Sequence, residues 1–274
     1  MIGKQYEYDA MAKCEKELWW YRCLHELTLK KIKESSISSD SEILDAGCGT
    51  GGLLAFLKGH GYKQVRGFDL STDAIDHTKK YSGLDVQLLD ILQCDTVYRK
   101  NFFDVIICND ILCLLKGKDD KIAFDKLVSL LKPGGLLLMN LPAGQLFKGT
   151  HDVTLNVLRR YSKSQVQNLF GRSAIIKECI YWPFLLSPLI FIFRSSQRLK
   201  LAFTKNRDFS SDVKLPLHFL NRLFYKIISW ENKNLQRKPW GSSIFIVAQK
   251  STTDSLYKEQ FKAVLNTTIE EKVV

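Results

Sequence analysis

The stretch EILDAGCGTGG, at residues 42–52, constrains the fold more than any other part of this chain. A short apolar run leads into closely spaced glycines, and apolar residues at helical spacing follow them. Glycines in such a position let the backbone turn tightly and approach a ligand, and a helix that starts there offers free N–H groups. The stretch therefore predicts a strand, a ligand-binding turn and a helix, in that order.

The glycines fit two different ligand-binding patterns. Gly47, Gly49 and Gly52 spell the G-x-G-x-x-G of dinucleotide-binding proteins, whereas Gly47, Gly49 and Gly51 spell a tighter G-x-G-x-G. Asp45 favours the second pattern. A carboxylate at the end of the strand would repel the pyrophosphate of a dinucleotide, and it would attract a ligand that carries an ammonium group.

Short apolar runs alternate with helical stretches along the chain, which is typical of βαβ units and a parallel sheet with both faces covered. The predicted strands are residues 42–47, 64–69, 85–90, 103–109, 135–141, 174–182 and 242–250. The predicted helices are residues 11–34, 51–59, 72–81, 118–131, 163–171, 184–203 and 215–235.

Two further acidic residues follow predicted strands, where an open α/β sheet places its ligand site. Asp69 ends the second strand, and a carboxylate there can accept both hydroxyls of a ribose. Asp90, followed by Ile91, ends the third strand and suits the exocyclic amine and one face of an adenine. S-adenosylmethionine has an amino acid, a ribose and an adenine but no phosphate, so it fits these carboxylates.

The same residues resemble the class I S-adenosylmethionine-dependent methyltransferases. The motifs ILDAGCGTG, GFDLS, LLDI, FDVIICNDIL and LLKPGGLLLMNLP occur in the order and at about the spacing of that family, over residues 40–142. The resemblance implies a Rossmann-like α/β fold: a seven-stranded, mostly parallel sheet with an antiparallel last strand, an N-terminal helical lid and a helical insertion before the last strand. It also implies S-adenosylmethionine as the cofactor.

The family's cofactor residues can be carried over to matching positions. The cofactor-binding residues that the resemblance implies are Asp45, Gly47, Cys48, Gly49 and Gly51 for the methionyl part, Asp69 and Leu70 for the ribose, Asp90 and Ile91 for the adenine, and Asn109 near the methionyl amine and the acceptor.

Outside this core, residues 18–32 and 151–170 resemble a bacterial subgroup of the type 11/12-like methyltransferases. Members often carry a second histidine, which Val157 replaces here. The resemblance and the chemistry of the side chains predict His151 and then Tyr161 as the catalytic base, and Trp20, Tyr21, Arg159 and Arg160 as substrate-binding residues. The alternatives are a capping role for His151, a packed core for the aromatic residues and a solvated helix start for the arginines.

Positive charge is concentrated in one part of the chain. Residues 1–150 are neutral overall, whereas residues 151–250 hold 17 basic and 5 acidic residues, a net +12. The same part contains CIYWPFLLSPLIFIF, an uncharged stretch at 179–193 that is too short for a membrane span of ~20 residues. It is either buried or an interfacial anchor flanked by Arg194, Arg198 and Lys200.

We therefore predict a helical lid (1–40), a methyltransferase domain (41–182 and 240–250), a basic, apolar insertion (183–239) and a C-terminal tail (251–274). The function hypothesis is methyl transfer to an oxygen or nitrogen of a small, hydrophobic or lipid-linked acceptor. The rival enzyme is an RNA methyltransferase that uses the basic region. The rival outside enzymes is a cofactor-binding scaffold peripheral to a membrane.

Cysteine usage and the N-terminus predict the compartment. The seven cysteines are odd in number and form no C-x-x-C pair, so neither a disulfide framework nor a metal site is predicted. Residues 1–20 contain no apolar core of the kind a signal peptide has. We predict a cytoplasmic protein, peripheral to the inner face of the membrane, and leave its oligomeric state open.

Overall fold

The computed structural model describes residues 5–80, 84–203 and 213–252, with the backbone alone for residues 200–203. The elements up to the fourth strand are α1 (Gln5–Cys14), α2 (Trp19–Glu34), β1 (Ile43–Ala46), α3 (Gly52–Gly59), β2 (Val65–Asp69), α4 (Thr72–Thr78), β3 (Asp85–Leu88), α5 (Cys94–Val97) and β4 (Phe103–Asn109). The elements after it are α6 (Asp119–Leu130), β5 (Leu131–Pro142), α7 (Thr150–Thr154), α8 (Lys163–Phe170), β6 (Ala174–Trp182), α9 (Ser187–Phe203), α10 (His218–Asn234) and β7 (Ser243–Lys250).

The strands form a seven-stranded sheet in the order β3-β2-β1-β4-β5-β7-β6. β1 pairs in parallel with β2 and β4, and β7 runs antiparallel to both β5 and β6. The predicted mostly parallel sheet with an antiparallel last strand is confirmed. The strand order reverses between β1 and β4, and an open α/β sheet binds its ligand at such a switch point.

Alternate residues of the strands belong to two apolar layers, one on each face of the sheet. On one face α5, α6 and α8 cover a layer that includes Leu44 and Ile106. On the other face α2, α3 and α10 cover a layer that includes Ile43 and Val105. Because both faces are covered, central strands such as β1 and β4 contain short apolar runs without alternation.

The helix predicted at 11–34 is two helices in the structure, so the prediction of one continuous helix is wrong. α1 ends at Cys14 and α2 begins at Trp19. Leu18 has an extended backbone (φ −62°, ψ 126°). The side-chain oxygen of Asn221 accepts the N–H of Trp19 at 2.9 Å, which anchors the first turn of α2 to α10.

The predicted helical insertion contains α9 and α10, between β6 and β7. α10 packs along α2: the hydroxyl of Tyr225 donates to Glu26 at 2.6 Å, and the rings of Trp19 and Phe224 lie 6.0 Å apart. Residues 204–212 of the predicted insertion, residues 253–274 of the predicted tail and the end of the helix predicted at 72–81 lie outside the described residues. The domain boundaries stay predictions. Within the described residues, we find no helix with the length and hydrophobicity that crossing a bilayer requires.

Candidate functional site

The glycine loop connects β1 to α3 at the switch point of the sheet. Gly47 has φ +84°, a left-handed conformation that favours glycine. A Cβ atom at this position would lie 2.3 Å from the side chain of Ile111, which follows β4. The loop after β4 is therefore packed directly onto the glycine loop.

Asp45 lies at the entrance of this loop and is 3% exposed. Burial, together with the nearby carboxylates of Glu15 and Asp69, raises the pKa of Asp45 to about 8. A buried carboxylate in the company of two others favours a cationic ligand, because a cation relieves both the desolvation and the repulsion.

Asp69, at the end of β2, is held in place by backbone donors. One carboxylate oxygen accepts the N–H of Gly49 at 3.0 Å, and the other accepts the N–H of Ser71 at 2.9 Å. The hydroxyl of Tyr8, from α1, lies 3.5 Å from the same carboxylate. Burial raises the pKa of Asp69 as well. The fixed carboxylate therefore lies at the glycine loop, and Tyr8 of α1 lies against it. Its predicted role in ribose binding stays a prediction.

Glu15 is a site residue that the sequence analysis missed. It lies between α1 and α2, is 5% exposed, and accepts a hydrogen bond from the hydroxyl of Thr50 in the glycine loop. A Cβ atom at Gly52 would lie 2.1 Å from its side chain. Burial raises the pKa of Glu15 to about 7. A glutamate inside a predicted helix carries no local signal for such a contact.

The remaining predicted cofactor-binding residues differ in their surroundings. Asp90 accepts the N–H of Leu92 at 2.9 Å and caps the short 3₁₀ turn after β3, with Ile91 buried beside it. Leu70 is exposed. Cys48 is buried, and its sulfur packs toward Gly67 of β2, which gives it a packing role in the loop.

Two polar residues end β4. The side-chain oxygen of Asn109 is buried, and no described group donates to it. Asp110, which the sequence analysis missed, has φ +57°, a conformation that non-glycine residues rarely adopt. The amide of Asn140 donates to both oxygens of Asp110, at 3.0 and 2.9 Å. The sequence signal was present, because two polar residues at a strand end are as informative as one.

A chain of contacts connects Asp110 to the lid. The indole N–H of Trp182 donates to the oxygen of Asn140 at 2.7 Å, which fixes the orientation of the amide. Trp20 stacks on Trp182 with ring centroids 5.5 Å apart, and its ring also meets the ring of Tyr21 at 5.1 Å. Burial raises the pKa of Asp110 to about 7. Trp20 and Tyr21, the predicted substrate-binding residues, are half-buried, and Trp20 is connected through Trp182 and Asn140 to the carboxylate of Asp110.

The two predicted substrate-binding arginines are used inside the fold. The guanidinium of Arg160 pairs with Asp152 at 2.6 Å and donates to the carbonyls of Ala143 and Ser242, at 3.0 and 2.8 Å. Arg159 pairs with Asp120 and donates to carbonyls of the loop before α6. These contacts connect the end of β5 to its neighbours and do not support a substrate-binding role.

The predicted catalytic residues differ in their surroundings. Tyr161 is 4% exposed, and its hydroxyl donates to Asp120 at 3.1 Å. Burial and this carboxylate raise the pKa of Tyr161 well above its ordinary value, so its geometry does not support the role of a base. His151 is half-buried in α7, next to α9, and its role stays a prediction. Among the described residues, no group of histidine, cysteine and carboxylate side chains is arranged to hold a metal ion.

The oxygen acceptors of the site indicate which ligand fits it. Asp45, Asp69 and Asn109 present oxygen acceptors at one edge of the sheet, and the acceptor of Asn109 has no donor among the described residues. These groups suit a ligand with ammonium and hydroxyl donors, and they disfavour a phosphate. S-adenosylmethionine fits this requirement, and a dinucleotide does not.

Comparisons with known sequences agree with this geometry. Residues 43–135 match a family model described as "Methyltransferase domain". The chain is 35% identical over 112 residues to "Putative methyltransferase YqeM" of Bacillus subtilis (strain 168), covering 39% of this chain and 44% of that protein. It is 29% identical over 124 residues to a similarly named protein of Geobacillus sp. (strain WCH70), covering 44% and 50%. The chain spans about half the length of these curated relatives.

Solved structures share the fold. A chain of the complex between the Haloferax volcanii Trm112 methyltransferase activator and a methyltransferase gives a TM-score of 0.57 at 15% identity, covering 90% of this chain and 97% of that one. The phosphoethanolamine N-methyltransferase 2 of Haemonchus contortus, in complex with S-adenosylmethionine, gives 0.52 at 19% identity, covering 82% and 52%. The [4+2]-cyclase SpnF gives 0.54 at 14% identity, covering 85% and 83%. At these identities the likeness concerns the fold.

Proposed function

We propose that this chain, whose residues 43–135 match a methyltransferase domain, is an S-adenosylmethionine-dependent methyltransferase that moves a methyl group to an oxygen or nitrogen of a small hydrophobic or lipid-linked acceptor. S-adenosylmethionine is the cofactor proposed with this activity, and the match of residues 43–135 to a methyltransferase domain supports it. The acceptor and the activity of the whole protein are part of the proposal, because the chain spans about half of its curated relatives.

One observation carries the proposal: the buried carboxyl groups of Glu15, Asp45 and Asp69 surround the glycine loop. Asp45 would hold the ammonium group of the cofactor, Asp69 its ribose hydroxyls, and Asp90 with Ile91 its adenine. The bound cofactor supplies a methyl group on a positively charged sulfur, which is already an activated leaving group. The protein then contributes mainly alignment of the acceptor with that methyl group.

The acceptor side of the site is formed by the wall that connects Asp110, Asn140 and Trp182 with Trp20. Because Asn140 orients the Asp110 carboxylate, that carboxylate can accept a hydrogen bond from the hydroxyl or amine of the acceptor and direct its lone pair. The aromatic rings favour an apolar or aromatic acceptor over a strongly hydrated one. His151, in the helix after β5, is the proposed base for the acceptor's proton.

The direct test follows the methyl group. The protein is incubated with methyl-labelled S-adenosylmethionine and either a total lipid extract or bulk RNA. Label in the organic phase supports a hydrophobic acceptor. Label in RNA would favour the second candidate function, an RNA methyltransferase, which the net charge of +12 in residues 151–250 supports. S-adenosylmethionine binding without transfer to any extract would leave the cofactor-binding scaffold as the better description.

We expect His151→Ala to lower kcat by about 10²–10⁴-fold, because the acceptor would lose its general base. Its affinity for S-adenosylmethionine should be unchanged, since the cofactor residues lie on other loops. Asp110→Asn is the matched comparison: it keeps the shape but weakens the hydrogen-bond acceptor, so it should raise KM. Turnover by His151→Ala at the wild-type rate would remove this residue from the mechanism.

The carboxylates make cofactor binding dependent on pH. With pKa values of about 8 for Asp45 and about 7 for Glu15, both groups are largely protonated at pH 6, and a cationic ligand favours their charged forms. We expect affinity for S-adenosylmethionine to rise from pH 6 to pH 8, by up to about tenfold per pH unit for each proton released. Calorimetry in buffers with different ionisation enthalpies counts these protons, and Glu15→Gln should release fewer.

The same pKa values set the pH dependence of stability. Unfolded carboxyl groups have pKa values near ~4, so between about pH 4 and pH 8 Asp45 and Glu15 hold more protons in the ligand-free folded protein than in the unfolded chain. The stability that these two groups contribute should therefore fall as the pH rises through this window. Thermal unfolding at several pH values, with and without cofactor, measures this pH dependence of stability. In the calorimetry, a pH-independent affinity with no proton release would contradict the role of Asp45 and Glu15 in binding the cationic ligand.

The location proposed with this function is cytoplasmic and peripheral to the inner face of a membrane. It is supported by the apolar and basic residues of the insertion, whose outer surface is described next.

A further inference from the structure

The outer face of α9 is apolar although it meets solvent. Leu189, Ile192, Phe193 and Leu199 are between 49% and 65% exposed. A helix on the surface of a globular protein normally shows the opposite pattern, with polar residues outside. Exposed apolar patches of this kind mark interaction sites.

Polar contacts on the inner face fix this orientation of α9. Ser187 and Gln197 are 1% and 7% exposed. The hydroxyl of Ser187 donates to the carbonyl of Pro183, and the side-chain oxygen of Gln197 accepts the N–H of Thr150 at 3.3 Å. Turning the helix to bury its apolar face would break these hydrogen bonds. The apolar residues therefore face outward because the fold holds them there.

The outer face of α10 combines apolar and basic residues. Its exposed apolar residues are Phe219, Leu223 and Trp230, and a basic residue follows each of them by three positions: Arg222, Lys226 and Lys233. Side chains three positions apart are neighbours on a helix, so each ring or leucine has a cation beside it. Glu231, the acidic residue of α10, is fully buried against Lys238 at 3.1 Å.

Glu231 also connects the two helices. Its carboxylate accepts the N–H groups of Phe184 and Leu185, at 2.9 and 2.7 Å, and so holds the segment that leads into α9 against α10. The ring of Phe184 in turn meets the ring of Trp240, which is 52% exposed. The outer surfaces of α9 and α10 are therefore parts of one anchored insertion.

We propose that the outer faces of α9 and α10 dock on an anionic lipid bilayer. A bilayer supplies an apolar interior for the leucine and aromatic side chains and negative head groups for the cations beside them. A second copy of this chain would bring the same positive charge to the contact and be repelled, and a nucleic acid would leave the apolar residues without a partner. This docking adds a membrane partner to the proposed function. It rests on the proposed function only where it concerns a lipid-linked acceptor in the bilayer.

The test is flotation of the full chain with vesicles of phosphatidylcholine alone or with about 30% phosphatidylglycerol, the fraction being chosen to give a negative surface. The chain should float with the anionic vesicles, and less at high salt. Ile192→Asp and Leu223→Asp should each reduce the bound fraction roughly tenfold or more. Ile122→Asp is the matched control, since it places the same charge at an exposed isoleucine of α6 and should bind like the wild type.

Charge is tested by Lys226→Glu against Lys177→Glu, an exposed lysine of β6 in the same basic part of the chain. Only Lys226→Glu should weaken binding to anionic vesicles. Circular dichroism confirms that each variant is folded. Absence of vesicle binding, binding to bulk RNA alone, or equal behaviour of Ile192→Asp and Ile122→Asp would overturn the proposal. Calorimetry with S-adenosylmethionine on the same samples tests the proposed function separately, because cofactor binding does not require the vesicle.

Discussion

Asp69→Ala should bind S-adenosylmethionine roughly a hundredfold more weakly than the wild type. Two ribose hydroxyls lose a charged acceptor, and each hydrogen bond to a charged group is worth about 1.5–3 kcal/mol. Because Asp69 also accepts the N–H groups of Gly49 and Ser71, part of the loss reflects a looser glycine loop. Isothermal titration calorimetry with S-adenosylmethionine and S-adenosylhomocysteine measures the effect.

Two controls separate ligand contact from local folding. Asp76→Ala removes an exposed carboxylate of α4, close in sequence to Asp69, and should leave affinity unchanged. Ser71→Ala removes the side-chain cap of α4, whose oxygen accepts the N–H of Ala74 at 3.4 Å, but keeps the Asp69 carboxylate. Loss of affinity in Ser71→Ala as large as in Asp69→Ala would show that Asp69 acts by shaping the loop.

Arg160→Ala should lower the free energy of unfolding by about 3–5 kcal/mol, because it leaves an uncompensated charge on buried Asp152. Asp152 is 2% exposed, and Arg160 is its ion-pair partner. The same guanidinium donates to the carbonyl of Ala143, just after β5, and to that of Ser242, just before β7. Urea denaturation followed by circular dichroism measures the change.

Arg159→Ala is the natural comparison, since it removes the neighbouring arginine and a similar ion pair. The side chain of Arg159 is 30% exposed against 9% for Arg160, so water can replace more of its contacts and the destabilisation should be smaller. If the two variants unfold at the same urea concentration, the buried pair contributes no more than the half-exposed one, and the structural role assigned to Arg160 is wrong.

The centre of the sheet was predictable because strands such as β1 and β4 are buried on both faces. The strand β4, FDVIICN, shows no alternation of polar and apolar residues at its centre, where the run VIIC is buried throughout. The glycine loop was predictable for a different reason: its backbone conformation, with φ +84° at Gly47, restricts the residue type directly. Both signals are local, and a local signal survives in a single sequence.

The missed residues depend on contacts between distant segments. Glu15 meets Thr50 across 35 positions, and the break between α1 and α2 depends on Asn221, about two hundred positions away. Arg159 and Arg160 show the opposite difficulty. Their residue types suggest anion binding, and within the fold each is paired with a carboxylate, Asp120 or Asp152. No spacing along the chain distinguishes an arginine with an internal partner from one that awaits a ligand.

The position of α1 has a consequence for timing. Tyr8, on α1, contacts Asp69 at the end of β2, and Glu15, just after α1, contacts Thr50 in the glycine loop. A ligand that hydrogen-bonds to the same carboxylate and the same loop would compete with these contacts, so we expect its entry and exit to require that α1 detaches. We therefore expect the residence time of spent cofactor, and with it the interval between successive turnovers, to depend on this ten-residue helix.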